Sequence, residues 1–555
     1  MNTTNTTSAS GAATRRPLPF HWLFTWRALR RGLIGLAWVA TVVALFYGEE
    51  YWRGRQAWKN CRRKLEARGE VLDFMAFIPK RVPDDQNFAM SPLLAPLFDF
   101  EPGSQRWRDT NALARLQGLF PRYQAAARLL PELDSLANWF KGRRTDLAAC
   151  QRAYAATNAH QYIEPTPPAA DTNRPAAAAA VLANLRECDP VLDELRAAAR
   201  RPYSRFNVSY ELEDSAAILL PHLAFLKGKV KVLQLRAAAE LALGQTNPAF
   251  EDVNLMFRLA DATKDEPILI SWLVRRAEVH LLLQPIWEGL ADGRWSEGQL
   301  QAFQQRLGQM DMLAESRRAL QADRVFGNRI IEFVRRSPGE RFEMVGATDG
   351  ADWREMALTP LLLRLAPRGW IYQEHVQYNR LFQDYVLPPL DLAARQVRPE
   401  AATASQEALE RLLGGGWLEF FLHHRTLSRV LLPALNHLHL AAARGQTDVD
   451  LATAACALER YRLAKGAYPD TLDALVPGFA PKLPRDVING QPLKYRRLED
   501  GRFSLYSLGW NARDDGGSYP PRSTRQIPQP RGPQTPELQA GDWVWRYPAP
   551  PPALR

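Results

Sequence analysis

Ala457-Leu-Glu-Arg-Tyr-Arg-Leu-Ala-Lys-Gly-Ala-Tyr-Pro469 and Ser507-Leu-Gly-Trp-Asn-Ala-Arg-Asp-Asp-Gly-Gly517 decide how the C-terminal part of this 555-residue chain folds. Gly466 can adopt the left-handed conformation that ends a helix, and Pro469 prevents the helix from resuming. The segment 447–450 has the form of a capping box, which predicts that the helix begins there. Apolar residues then follow at helical spacing: Leu451, Ala455, Leu458 and Tyr461.

Strand signals follow this helix. A short second helix is predicted at 471–475, and two strand-like runs are predicted at 493–498 and 502–508. Asp500-Gly501 lies between these runs and is a strong signal for a hairpin turn. A third strand is predicted at 542–547, which is rich in Trp. Together the signals predict a small α+β module with a three-stranded antiparallel sheet.

The order of these elements resembles the C-terminal globular domain of the major pseudopilins of type II secretion. The resemblance covers residues 446–555, about a fifth of the chain. The matching segments are Tyr461-Arg462, Gly466-Ala467-Tyr468-Pro469, Leu483-Pro484-Arg485-Asp486, Gly490-Gln491-Pro492-Leu493-Lys494-Tyr495, Leu505-Tyr506-Ser507-Leu508-Gly509 and Asp514-Asp515-Gly516-Gly517. The resemblance implies a pseudopilin-like module at the end of a longer protein.

The same resemblance implies a calcium site, because the loop after the second strand binds calcium in those pseudopilins. The corresponding candidate ligands here are Asn511, Asp514 and Asp515. Calcium requires several oxygen ligands, which closely spaced Asn and Asp residues in a Gly-rich loop can supply. The alternative is a solvated turn, since two carboxylates are few and a Pro-rich tail follows.

An uncharged apolar segment at 32–48 predicts a transmembrane helix near the N-terminus. Glu49 and Glu50 follow it directly. The positive-inside rule therefore predicts a single-pass protein of the bacterial inner membrane, with a cytoplasmic N-terminus and a periplasmic body. Arginines precede the segment: Arg15, Arg16, Arg27, Arg30 and Arg31.

A cleaved signal peptide is the competing interpretation, because Val42-Val43-Ala44 fits a small-residue cleavage site. A continuous helix expected over residues 49–68 favours an uncleaved anchor. A pseudopilus subunit is not expected. Ala37 stands five residues after Gly32, where pseudopilins carry the glutamate used in assembly, and about 400 residues separate the anchor from the C-terminal module.

The charge balance narrows the classes of partner. The net charge is +11 and the isoelectric point is about 9.5. Part of the excess lies in the N-terminal arm, where anionic membrane lipid would attract it. The remainder is dispersed among helices of mixed charge, which argues against nucleic-acid binding.

Four cysteines, Cys61, Cys150, Cys188 and Cys456, contain no Cys-x-x-Cys pair. This spacing disfavours a zinc ribbon or a thioredoxin-type site. In an oxidising compartment Cys150 and Cys188 could form a disulfide, and the alternative is that both are buried thiols.

The chain between the two ends is predicted to be mainly α-helical. The expected organisation is a cytoplasmic disordered and basic arm (1–31), a transmembrane helix (32–48), an exported helical body (49–445) and the C-terminal module (446–555). A helical hairpin is expected at 229–260 without a clear 34-residue repeat. The clearest helical segments are 130–140, 181–200, 216–243, 250–260, 267–290, 297–313, 317–335, 374–386, 407–413 and 417–442.

Three further segments, 84–88, 106–110 and 368–372, resemble features of a large, uncharacterised family of membrane-anchored bacterial proteins that share this C-terminal module. That resemblance implies no activity.

Catalytic motifs are absent from the sequence: it contains no His-Glu-x-x-His, Gly-x-Ser-x-Gly, Gly-x-x-x-x-Gly-Lys-Ser/Thr or Gly-x-Gly-x-x-Gly pattern. The best candidate for a transition-metal site is His423-His424 with His437 and His439. A single helix would place these pairs ~20 Å apart, however, so ordinary half-buried histidines are the better interpretation. Glycosidase-type chemistry from distant acids stays open.

The expected function is therefore a non-enzymatic scaffold or interaction role in the cell envelope, linked to type II secretion or pilus-like machinery. The expected partners are membrane lipid and an envelope or secretion-system protein, and no small-molecule substrate is identified. The alternative function is an envelope hydrolase whose active site is assembled from distant residues of the helical body.

Overall fold

One long helix, α1 (Trp26–Ala67), leads from the N-terminal apolar segment into the rest of the chain in the computed structural model. The structure describes residues 26–101, 104–130, 137–159, 173–212, 217–336, 367–414, 419, 423–432, 435, 437–517 and 541–546. The N-terminal 25 residues of the predicted arm and the Pro-rich tail lie outside the described residues.

Helix α1 contains 42 residues and confirms the apolar helix and its continuation beyond Glu50. Within the described residues it is the one helix that is long and apolar enough to cross a membrane, and none of its apolar window is buried. A helix that exposes leucine, valine and tryptophan on every side is suited to a lipid environment. Gly69, with a φ of 80°, follows the end of the helix.

The first half of the body is built from short helices and 3₁₀ turns. The predicted helix at 181–200 is wrong as a single element, because a 3₁₀ turn, Arg186–Cys188, interrupts it. Pro190 stands in the first turn of the helix that follows. The helices of this half are α2 (Thr110–Gln117), α3 (Pro121–Leu129), α4 (Leu147–Ala159), α5 (Arg174–Leu185) and α6 (Asp189–Ala199).

Longer helices form the centre of the body. The first two make the expected helical hairpin, whose turn contains Gly244 at a φ of 75°. Ser296 and Gln299 form a capping box that begins the fourth. The helices are α7 (Pro221–Ala242), α8 (Thr246–Asp261), α9 (Leu269–Ala291), α10 (Glu297–Gly308) and α11 (Met312–Arg336).

Helix α12 (Arg368–Leu381) packs against α1 and continues into a π-helical turn, Phe382–Val386. A small antiparallel pair of strands follows, β1 (Leu390–Asp391) with β2 (Gln396–Val397). Next come α13 (Pro399–Leu413) and α14 (Thr426–Leu431). The single helix predicted at 417–442 is wrong, because the chain turns at 423–425 and again before Leu438.

Helix α15 (Leu438–Lys465) begins upstream of the predicted start at 447–450. The capping-box interpretation of 447–450 is wrong: Thr447 and Asp448 lie buried inside the helix, nine or more residues after its beginning. The physical reason is tertiary packing, since an apolar face that includes Ala442 and Ala443 extends the helix upstream against α9 to α11. Gly466 ends the helix as predicted, with a φ of 82°.

The C-terminal sheet confirms the three predicted strands, in the order β3 (Lys494–Arg497), β4 (Phe503–Ser507) and β5 (Trp543–Trp545). Both pairings are antiparallel: Arg497 faces Phe503, and Leu505 faces Trp545. Gly501 provides the hairpin turn at a φ of 77°. The buried face of β4 packs on α15, so the sheet shares its hydrophobic core with the helical body. The expected boundary at 445/446 falls inside α15.

Candidate functional site

The junction between α1 and α12 brings two backbones into direct contact. Gly54 and Gly369 face each other there. A Cβ atom built on Gly54 would lie 2.1 Å from the carbonyl oxygen of Gly369, and one built on Gly369 would lie 2.0 Å from that of Glu50. Only glycine allows two segments to approach this closely. The junction therefore depends on two residues that lack side chains.

Polar contacts surround these glycines. The indole Nε1 of Trp370 donates a hydrogen bond to Glu50 Oε2 at 3.0 Å, and Arg53 forms an ion pair with the other carboxylate oxygen of Glu50 at 2.8 Å. The ring of His424 packs edge-on against Trp370, with 5.1 Å between centroids. Glu50 lies two residues beyond the predicted membrane segment. The body thus contacts α1 within one helical turn of the predicted membrane surface.

Farther along α1, a buried network continues the junction. The ring of Trp58 stacks on that of His375 at 4.7 Å, and His375 Nδ1 lies 3.0 Å from Asn328 Oδ1. The Asn379 amide donates to the same oxygen at 2.7 Å. Burial lowers the pKa of His375 despite the opposing influence of Glu332. The imidazole is therefore held neutral among amides and an aromatic ring.

A buried ion pair closes the far end of this surface. Arg324 on α11 is fully buried, and its guanidinium contacts Glu70 at 2.7 Å. Glu70 lies just beyond the end of α1. The outer part of α1 is consequently held from Glu50 to its end at Ala67, a rise of ~26 Å along the helix.

The acidic loop, residues 511–517, holds the three predicted calcium ligands. Asn511 donates to Asp515 Oδ2 at 2.8 Å. Asp514 accepts hydrogen bonds from the Tyr506 hydroxyl at 2.9 Å and from the Gly516 amide at 3.0 Å, and it forms an ion pair with Lys494 at 3.3 Å. The three residues therefore share one loop, and protein donors occupy part of their ligand capacity.

A fourth residue, Asp542, was missed by the sequence interpretation. Its Oδ2 accepts hydrogen bonds from the amides of Asp515 at 3.1 Å and Gly517 at 2.7 Å. Its Oδ1 is buried and has no hydrogen-bond partner among the described residues. Burial, reinforced by the charges of Asp515 and Asp514, raises the pKa of this carboxyl. The only sequence signal for Asp542 was its position beside the Trp-rich third strand.

A carboxylate oxygen without a hydrogen-bond partner, next to an acidic loop, is suited to a cation that prefers oxygen ligands, such as calcium. In the part of the chain that the structure describes, however, no three His, Cys, Asp or Glu side chains are arranged to hold a metal ion. The ion pair of Asp514 with Lys494 would have to open before Asp514 could act as a ligand.

The four histidines considered for a transition metal do not converge. His439 Nε2 lies 2.7 Å from the carbonyl oxygen of Val386, and burial lowers the pKa of its imidazole. His424 packs on Trp370 instead. Their contacts are those of structural histidines.

Two other acid–histidine pairs come together from distant segments. His222 Nε2 lies 2.8 Å from Glu266 Oε1, but the side chain of His222 is fully buried, which is unsuitable for a substrate. His280 Nδ1 lies 3.5 Å from the buried carboxylate of Asp448, and the His280 side chain is 36% exposed. In the second pair an accessible imidazole lies near a carboxylate, and that carboxylate also forms an ion pair with Arg444 at 2.7 Å.

All four cysteines are free thiols. Cys150 and Cys188 are both buried, and burial raises the pKa of each to about 12. Cys150 and Cys188 are therefore buried thiols, which was the alternative to a disulfide.

Comparisons of the chain with protein-family models, curated proteins and solved structures found no match.

Proposed function

We propose that the protein is a membrane-anchored scaffold of the bacterial cell envelope, with a non-enzymatic interaction role. The observation that carries the proposal is the junction of α1 with α12. The helix that leaves the apolar segment is packed on the body through Gly54 and Gly369 and is paired through Glu50 and Trp370.

This packing has a mechanical consequence. A flexible linker would allow the body to diffuse around its anchor. Here the outer half of α1 is part of the body, so the orientation of the anchor sets the orientation of the body. Such an arrangement suits a protein that presents a surface at a defined distance from the membrane.

The proposed topology places the N-terminus in the cytoplasm and the body in the periplasm. It rests on the charge asymmetry about the apolar segment, with Arg27, Arg30 and Arg31 before it and Glu49 and Glu50 after it. Single cysteines introduced at one position on each side of the apolar segment, in a variant lacking the four natural cysteines, test the proposal. A cysteine at Asp500 should react with a membrane-impermeant maleimide in cells with a permeable outer membrane. A cysteine at Thr7 should react only after the inner membrane is opened, and the reverse pattern would overturn the topology.

The partner class is proposed from the pseudopilin-like module, as an envelope protein of type II secretion or pilus-like machinery. Cross-linking in intact cells followed by purification of the full chain tests this. The matched control carries residues 1–48 fused to an unrelated periplasmic domain. A protein captured by both chains binds only the anchor, whereas the proposal expects one captured by the full chain alone.

Calcium binding at the acidic loop belongs to the same proposal. Asn511, Asp514, Asp515 and Asp542 would supply oxygen ligands, and the ion would tie the loop to the start of β5. The unpartnered Oδ1 of Asp542 supports this idea.

An envelope hydrolase is the alternative, and the His280–Asp448 pair favours it. Purified protein and a His280→Ala variant should be compared on ester, peptide and glycoside substrates. Hydrolysis that disappears in the variant, at unchanged thermal midpoint, would favour the enzyme over the scaffold.

A further inference from the structure

A groove of about 300 Å³ lies where the π-helical turn after α12 meets α11 and the β1–β2 pair. This volume is at the lower end of the range for small-molecule sites. The groove is distant in sequence from the acidic loop and adjoins the Arg324–Glu70 pair at the far end of the junction. Its lining residues are Arg317, Gln383, Leu387, Pro388, Leu390, Asp391, Leu392 and Arg398.

Arg317 contributes a half-buried cation to the groove. One of its guanidinium nitrogens donates to the carbonyl oxygen of Leu387 at 2.9 Å, and the side chain forms no ion pair among the described residues. Glu70, the carboxylate that acts on it, is already paired with Arg324 at 2.7 Å. Burial lowers the pKa of Arg317, and the charge of Arg324 adds to this effect. The remaining donors of Arg317 therefore favour an anion.

The other polar groups leave this charge uncompensated. Arg398 is paired with Asp391 at 2.8 Å, and Asp391 also accepts a hydrogen bond from the Ala394 amide at 3.0 Å. Two guanidinium groups and one carboxylate thus give the lining one net positive charge. Gln383 uses its side-chain oxygen to accept a hydrogen bond from Arg324 at 3.2 Å, so its amide nitrogen stays available as a donor.

The rest of the lining is apolar. Leu387 and Leu390 are almost fully buried, whereas Leu392 is 40% exposed at the rim. An anion that consisted only of a charged head would leave the exposed side chain of Leu392 in contact with water. A ligand with an apolar group next to its charge would cover this side chain.

The local backbone gives the groove its shape. The five-residue π-helical turn, Phe382–Val386, places Gln383 and the Leu387 carbonyl on the same side as Arg317. Single π-helical turns are frequent at functional sites, because they shift side chains out of the ordinary helical register. His439 stabilises the turn through its contact with the Val386 carbonyl.

We propose that this groove binds a monocarboxylate that carries a short branched apolar group, either as a free acid or as the C-terminus of a peptide. The guanidinium of Arg317 would receive the carboxylate in the two-point geometry that arginine favours, with the Gln383 amide as a further donor. Leu392, at the rim, would cover the apolar group.

The test uses the full chain in lipid nanodiscs and titrates it calorimetrically with 4-methylpentanoate. A second arm uses N-acetyl-alanyl-leucine, which presents the same group at a peptide C-terminus. The corresponding amides, which lack the charge, are titrated in parallel. We expect saturable binding of at least one acid and no binding of its amide. Tighter binding of the dipeptide would identify a chain terminus as the source, and tighter binding of the free acid would identify a small molecule.

Variants make the test specific. Arg317→Gln should weaken binding at least tenfold, because it removes a charged donor. The neighbouring Arg318→Gln is the matched control, since Arg318 pairs with Asp265 at the surface, and its affinity should be unchanged. Leu392→Asp adds a negative charge at an exposed rim position and should also abolish binding without unfolding the protein. Equal binding of acids and amides, unchanged affinity in both groove variants, or no saturable binding would overturn the proposal.

Discussion

The carbonyl oxygen of Gly369 lies 2.1 Å from the position that a Cβ atom on Gly54 would occupy. These residues are 315 positions apart in the chain. Their contact joins α1 to the body and lets neighbouring aromatic and charged groups pair. The junction makes α1 and the body one mechanical unit.

Substitution of Gly369 by alanine should therefore weaken the junction. The added Cβ would meet backbone atoms of Glu50 and Tyr51, which cannot rotate away as a side chain could. The expected destabilisation is about 1–3 kcal/mol, as for other overpacked contacts. Thermal unfolding in nanodiscs, with hydrogen exchange of the α12 amides, measures the effect.

The matched control for this variant is Gly48→Ala. Gly48 lies on α1, the other helix of the junction, and has no atom within 4 Å of its Cβ position. The thermal midpoint of this variant should equal that of the wild type or be slightly higher, since alanine favours helices. Equal midpoints and equal exchange in both variants would contradict the proposed close contact.

Removal of Arg324 alone should destabilise the protein far more than removal of Arg324 together with Glu70. In Arg324→Met the Glu70 carboxylate, only 10% exposed, loses its partner, and a cost of about 3–5 kcal/mol is expected. The double variant Glu70→Leu/Arg324→Met should recover much of that loss. Denaturant unfolding of Glu70→Leu, Arg324→Met and the double variant measures the coupling free energy between the two side chains.

A surface pair provides the comparison. Arg62 and Glu66 form an ion pair on α1 at 2.7 Å, but both side chains are about half exposed. Arg62→Met should cost less than about 1 kcal/mol. If the two arginine variants lost equal stability, burial would not be the cause.

Stability should fall as the pH rises from mildly acidic to mildly basic. Burial raises the pKa of Glu278 from its ordinary value of 4.5 to about 8, and neither carboxylate oxygen has a hydrogen-bond partner among the described residues. Between these two pH values the native state binds more protons than the unfolded state, so each step up in pH favours unfolding. Asp323, Glu374 and Asp450 act in the same direction.

Glu278→Gln should flatten this dependence and stabilise the protein at pH 8 by about 2 kcal/mol, because the amide stays neutral at every pH. Unfolding midpoints between pH 5 and 9 provide the measurement. The exposed Glu251→Gln serves as the control and should retain the wild-type slope. A wild-type midpoint that increased up to pH 8 would show the sign to be wrong.

Calcium should raise the thermal midpoint of the full chain, and a chelator should reverse the increase, since a ligand bound only by the native state stabilises that state. Asp542→Asn should remove most of the increase by neutralising the unpartnered carboxylate oxygen. Asp500→Asn, at the exposed hairpin turn, should not. A wild-type midpoint that is identical in calcium and in chelator would eliminate the proposed ion site.

Local signals in the sequence predicted several elements correctly. The apolar segment at 32–48, the helix end at Gly466 and the hairpin at Asp500-Gly501 each depend on residues that are close in the chain. Their conformations follow from hydrophobicity, from left-handed glycine geometry and from turn preference. The capping-box prediction failed because the packing of upstream residues such as Ala442 outweighed a local preference.

The rest depended on contacts between distant residues. Asp542 joins the acidic loop only because β5 pairs with β4, and Arg324 meets Glu70 only because α11 packs beside the end of α1. The groove around Arg317 likewise needs three separate segments. The composition and periodicity of the chain were thus sufficient to predict a mainly helical protein with one long apolar N-terminal helix and a small C-terminal sheet. Which charges are buried, paired or left without a partner was set by packing across hundreds of residues, because burial changes the energy of a charge far more than its sequence neighbours do.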